Sequence, residues 1–201
     1  MDRLLLIRHG ITRAVEDWLY CGATDLSLSP AGREDLISGR DSYIWPDLNG
    51  WSIYTSGMRR AEETLEILLG NIPHSPLPAF REMDFGVFEM HSYDELKIRE
   101  DYQAWISGDN EANVCPGGES GLQMKARVFA GLRELTQAPG SALVVCHGGP
   151  IVAVMQHLFP QENRTRYDWQ PVGGCGYLIT FDDGLPVSYE PFPGIVSADR
   201  A

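Results

Sequence analysis

The chain of 201 residues carries a formal net charge of −12, with 43% hydrophobic and 22% charged residues. These proportions fit a single soluble domain over 1–201 with a real core. The acidic balance, without any Lys/Arg run, argues against nucleic acid as a partner, and no apolar run is long enough to span a membrane.

The four cysteines, Cys21, Cys115, Cys146 and Cys175, form no CxxC pair and have no metal-ligand spacing. They read as reduced thiols of a cytoplasmic protein. The apolar run at the N-terminus is too short for a signal peptide. If the ligand is an anion, a few local Arg and His residues must attract it, because the overall field weakly repels it.

Residues 3–8 form the first expected strand, fully buried, and they end abruptly in Arg8, His9 and Gly10. "SLSPAGREDLISGR" starts a helix, with Ser29 as N-cap and Pro30 at the first helical position. "WSIYTS" (51–56) alternates as a strand, and "GMRRAEETLEILLG" follows as a helix closed by Gly70. Residues 71–119 are irregular, with a short helix near 93–106. Ser120 and Gln123 make a capping box ahead of "GLQMKARVFAGLREL". "SALVVCHGG" is a third buried strand and runs straight into the helix "PIVAVMQHLF". "CGYLITF" and "LPVSYE" flank Asp182-Asp183-Gly184, a hairpin signal. This alternation predicts a three-layer α/β/α fold with a mostly parallel central sheet. The 71–119 segment would be a small lobe over its C-terminal edge.

Three strand ends carry unusual residues: Arg8 and His9; Arg59 and Arg60 in the first turn of a helix; His147, Gly148 and Gly149 at the start of another. In an open parallel sheet these ends share one crevice. Arginines, histidines and a helix N-terminus facing one crevice describe a phosphate or carboxylate site. Singly, each has a blander explanation. Arg59 could pair with Glu62 or Glu63, and buried histidines are often hydrogen-bonded core residues.

The "RHG" of residues 8–10 resembles the signature of the histidine phosphatase superfamily, in its phosphoglycerate-mutase-like branch. Further landmarks follow in order: Gly22 and Asp25 with Leu28 and Gly32; "SGMRRAEET", similar to the family's SxxxRAxxT helix; "REMDFGVFE", similar to ExxxGxxE; "PGGES"; and "HGG". The resemblance implies a metal-independent phosphomonoesterase, needing no cofactor, that works through a phosphohistidine on a small phosphorylated metabolite. His9 is the implied nucleophile. Arg8, Arg59 and His147 would hold phosphate, with Thr12 and Gly148 beside them and His147 as a donor.

Glu82 is the implied acid, with Asp84 and Glu89 as rivals. Cys21 and Gly22 match the loop near the phosphate. Val15 stands where many relatives have Asn. "EMDFGVFEMHSYDEL" and "GGCGYLITF" look like α-ribazole-5′-phosphate phosphatases of cobalamin biosynthesis. Other readings are a broad sugar-phosphate phosphatase, a phosphoglycerate mutase, a phosphoprotein phosphatase, an inactive phospho-ligand binding module, and a metal site on His9 and His147. The hairpin edge at 176–190 offers a route to a homodimer.

Overall fold

The computed structural model describes residues 1–109 and 111–193. Strands β1 (Arg3–Arg8), β2 (Ser52–Thr55), β3 (Ser75–Pro76), β4 (Ala142–Cys146), β5 (Gly176–Asp182) and β6 (Leu185–Phe192) form one sheet in the order β3-β2-β4-β1-β5-β6. The pairs β1–β4, β2–β4 and β2–β3 are parallel, and only β5 runs against its neighbours. The helices are α1 (Arg13–Glu16), α2 (Pro30–Gly39), α3 (Arg59–Leu69), α4 (Tyr93–Leu96), α5 (Glu100–Ile106), α6 (Gly121–Gln137), α7 (Gly148–Leu158) and α8 (Arg166–Trp169).

Side chains alternate across the central strands, so the sheet feeds two cores. Leu4, Leu6, Val144 and Cys146 pack with Val128 and Leu132 of α6 and Ile151 and Val154 of α7. Leu5, Ile7, Leu143 and Val145 pack with Leu36 of α2 and Ala61 and Leu65 of α3. That makes the three layers the alternation predicts. β1 and β4 read as continuous apolar runs because both of their faces are covered.

Local chemistry sets the boundaries. Ser29 Oγ accepts from the Gly32 amide, and the Ser120–Gln123 capping box is formed in both directions. Asp183 and Gly184 take φ values of 48° and 77° between β5 and β6, the left-handed pair a tight hairpin turn requires. The helix expected near 93–106 is two helices, α4 and α5, because Arg99 takes an extended backbone (φ −85°, ψ 135°) between them. β3 was not predicted: it is two residues long and contains a proline. The four-residue helices α1 and α8 were also missed.

The lobe has its own small core of Phe88, Leu96, Tyr102 and Cys115, with Tyr20, Phe85 and Trp105 packed against it. Among the described residues no helix is long and apolar enough to cross a membrane. The four cysteines are free thiols.

Candidate active site

A cavity of about 470 Å³ opens at the carboxyl ends of the strands, where the lobe overhangs the sheet. Arg8, His9, Thr12, Arg60, Glu82 and Gly149 line its base. Parallel pairing of Arg8 with Cys146 sets β1 and β4 in register, so His9 and His147 emerge side by side with ring centroids 5.0 Å apart.

His9 is 6% exposed. Its Nδ1 lies 2.7 Å from the Gly10 carbonyl, which can only accept, so Nδ1 carries the proton. The lone pair is then on Nε2. Burial, then the positive charges of Arg60 and Arg8, hold the His9 pKa well below the ordinary histidine value. A neutral imidazole with a free Nε2 is a nucleophile.

The arginine that reaches the site is Arg60, and the expectation for Arg59 is corrected. Arg59 is exposed, and its backbone N–H is what the loop uses, donating to Asp25 Oδ1 at 2.7 Å. Arg60, one residue on, is 1% exposed and lines the cavity. A helix advances its side chains by about 100° per residue, so adjacent arginines cannot share a face. Arg60 donates from Nη2 to Gly22 O (2.8 Å), from Nη1 to Thr24 O (2.9 Å) and from Nε to His147 Nδ1 (3.2 Å). The pattern SxxxRAxxT, laid on Ser56, Arg60, Ala61 and Thr64, carries the signal. Ser56 Oγ meets His147 Nε2 at 2.8 Å, and Thr64 Oγ1 accepts from the Gly10 amide at 2.9 Å.

His147 is fully buried behind His9, and its pKa is held well below the usual value by burial first and then by the neighbouring His9, Arg60, Arg127 and Arg8. Its Nδ1 accepts from Arg60, so the ring is neutral with its proton on Nε2 toward Ser56. Neither nitrogen offers a free donor to the cavity in this state, unlike the donor expected. The same commitments leave His147 no free lone pair for a metal ion.

Arg8 donates from Nη1 to Pro171 O at 2.8 Å, and its buried Nε–H has no partner among the described residues. Burial lowers the pKa of the Arg8 and Arg60 guanidiniums, and Glu82 is among the groups that offset it. Two largely buried cations beside an unpaired N–H are an arrangement that an anion completes.

Glu82 is the carboxylate of "REMDFGVFE" that faces the cavity. Its Oε1 accepts from the Met83 amide (2.9 Å) and its Oε2 from the Gly149 amide (3.0 Å) at the start of α7. A Cβ on Gly149 would sit 2.3 Å from Glu82 Oε1, so the glycine is what admits the carboxylate. The rivals are occupied elsewhere. Asp84 Oδ1 takes the Gly86 amide. Glu89 accepts from the amides of Gly22, Ala23, Thr24 and Phe85. It fastens the 22–24 loop that holds Arg60.

Gly22 and Gly148 stand behind the cavity wall rather than in it. Gly22 lets the loop press on the segment carrying Glu82, since a Cβ there would lie 1.5 Å from Met83 O. Thr12 caps α1 through Oγ1 and is buried beside His9. Cys21 and Val15 line the cavity.

The outer walls are largely apolar, with Leu19, Tyr20, Phe85, Trp105, Ile106, Met124 and Val152. Two of the lobe aromatics therefore face the cavity while Phe88 and Tyr102 pack inside the lobe. At the mouth, Lys125 is paired with Glu111 (2.6 Å), and Arg166 makes no ion pair among the described residues.

The chain is similar to known proteins over nearly its whole length. The family model of the histidine phosphatase superfamily (branch 1) matches residues 4–188. The adenosylcobalamin/alpha-ribazole phosphatase of Escherichia coli K12 is 29% identical over 186 residues, covering 88% of this chain and 89% of that protein. A 2,3-bisphosphoglycerate-dependent phosphoglycerate mutase of Bartonella quintana is 25% identical and covers 92% of this chain and 95% of its own. The crystal structure of the alpha-ribazole phosphatase of Shigella flexneri superposes with a TM-score of 0.82 at 26% identity, over 95% of this chain and 96% of that one.

Proposed function

Because the chain belongs to the histidine phosphatase superfamily and is a phosphoric monoester hydrolase, we propose that His9 is its nucleophile and α-ribazole 5′-phosphate its substrate. The observation that carries the mechanism is His9 Nε2, left free by the Nδ1–Gly10 bond and flanked by Arg8 and Arg60 in a cavity that Glu82 also lines.

Nε2 attacks phosphorus, and the bond from phosphorus to the ester oxygen breaks. Glu82, entering as the carboxylic acid, gives its proton to that oxygen. Water then attacks the phosphohistidine, Glu82 takes a proton from it, and the phosphorus–nitrogen bond breaks to release phosphate and neutral His9. Arg8 and Arg60 hold the equatorial oxygens throughout, where preformed positive charge contributes most to the rate.

The substrate assignment rests on the outer cavity. The volume far exceeds a phosphoryl group, and the wall of Tyr20, Phe85 and Trp105 suits an alcohol leaving group that carries an aromatic ring. The similarity to the two alpha-ribazole phosphatases points the same way. Arg166, which lines the cavity without an ion-pair partner among the described residues, favours a second reading, a substrate with a carboxylate or second phosphate such as 3-phosphoglycerate.

Phosphate release in excess EDTA from α-ribazole 5′-phosphate, 3-phosphoglycerate and simple sugar phosphates separates the two. The first reading expects α-ribazole 5′-phosphate to be preferred with kcat/KM above about 10⁴ M⁻¹s⁻¹. A preference for 3-phosphoglycerate that Arg166→Ala removes would replace it with the second.

A further inference from the structure

We propose that Arg127, on the outer side of the segment that carries Glu82, is a positioning residue for that carboxylate. This rests on the reading of Glu82 as the acid. Arg127 does not line the cavity, although its helix neighbours Met124 and Lys125 do. Its guanidinium has five N–H groups, and there are five contacts. Nη1 donates to Ala79 O (2.9 Å) and Arg81 O (2.6 Å), and Nη2 to Glu82 O (2.8 Å) and Glu119 Oε1; Nε donates to Glu119 Oε2 (3.1 Å). Three carbonyls of residues 79–82 thus converge on one cation.

Residues 81–85 belong to no helix or strand, so no regular hydrogen-bond ladder fixes the Glu82 backbone. Arg127 supplies the missing constraint. Its bond to Glu82 O also fixes the plane of the peptide joining Glu82 to Met83. The N–H of that same peptide donates to Glu82 Oε1. Glu119 completes the frame from the other side, because its Oε1 also accepts from the Asp84 amide at 3.0 Å.

The chain Glu119–Arg127–peptide 82/83–Glu82 therefore holds the carboxylate against Gly149 from outside the cavity. A lysine cannot replace it: three rotatable donors on one nitrogen cannot span three carbonyls and a bidentate carboxylate.

The test compares a poor leaving group, an alkyl phosphate, with a good one, p-nitrophenyl phosphate, in Arg127→Lys, Glu119→Gln and Glu82→Gln. A displaced Glu82 slows hydrolysis of the shared phosphohistidine on both substrates, but it slows leaving-group departure, which kcat/KM reports, only for the substrate that needs a proton. Arg127→Lys is expected to lower kcat/KM on the alkyl phosphate by about 10- to 100-fold, part of what general acid catalysis supplies. The effect on kcat/KM for p-nitrophenyl phosphate should be much smaller, while its kcat and KM fall together as hydrolysis of the shared phosphohistidine slows. Glu119→Gln, which keeps the shape of the side chain, should show the same signature more weakly. Adding Arg127→Lys to Glu82→Gln should cost nothing further.

Equal losses of kcat/KM on both substrates in both framing variants, with Glu82→Gln still discriminating, would overturn the positioning role alone. If Glu82→Gln itself failed to discriminate, the acid assignment would fall, and the positioning role with it.

Discussion

Replacing Arg60 with methionine keeps most of the side-chain volume and removes the charge. The guanidinium is 1% exposed and spends three of its N–H groups on Gly22 O, Thr24 O and His147 Nδ1. Two N–H groups remain for phosphoryl oxygens. Loss of one preorganised donor to the developing charge costs about 3–4 kcal/mol, or 10²–10³ in kcat. The two carbonyls and the imidazole left without donors add roughly 1–3 kcal/mol of lost stability for a buried acceptor, so the variant should also melt lower.

Arg59→Met is the control, since its backbone N–H still caps α3 through Asp25. Its effect should stay within about 0.5 kcal/mol, as for most surface changes. The assay is kcat/KM on p-nitrophenyl phosphate, well below both melting temperatures. Equal losses in the two variants, or near-full activity in Arg60→Met, would refute the assignment.

The histidines should give opposite pH signatures. His9 and His147 are buried neutral with depressed pKa values, so their contribution to stability is complete above about pH 6.5 and is lost as pH falls toward their folded values. Urea titrations from pH 7.5 to 4.5 should show this loss, and His9→Asn should reduce it. His74 has a raised pKa, first from its bond to the Ile72 carbonyl and then, against some desolvation, from Glu62. Its contribution is complete below about pH 6.5 and is lost as pH rises through the folded value, so His74→Gln should flatten the stability curve on the alkaline side. Gly22→Ala drives a Cβ into Met83 O and should destabilise by about 1–3 kcal/mol, read as a lower urea midpoint with reduced activity.

The layered fold was legible because β1 and β4 are unbroken apolar runs and because Ser29 and Ser120 announce their helices. That Arg8, His9 and Glu82 line one cavity was legible from the strand end and from the motifs that resemble the family's. The choice between Arg59 and Arg60 depends on helical phase, and only contacts with Gly22, Thr24 and His147 decide it. The tautomer of His147 was hidden for the same reason, since Arg60 and Ser56 set it from elements distant in sequence. Arg127 left no local signal: it is one arginine in an amphipathic helix, and its five acceptors lie elsewhere in the chain. The short β3, α1 and α8 escaped because periodicity needs more residues than they have. The hairpin edge first considered for a homodimer carries Pro186 and Pro191 on β6, residues that blunt strand pairing.

Whether phosphate passes through His9 decides the mechanism. In Glu82→Gln, p-nitrophenyl phosphate needs no acid to leave, while water loses its base, so the intermediate should accumulate. A millisecond alkaline quench followed by peptide mass spectrometry should find one phosphoryl group on the peptide spanning His9, labile to acid, and none after His9→Ala. A phosphoryl group on another residue, or undiminished turnover in His9→Ala, would contradict it.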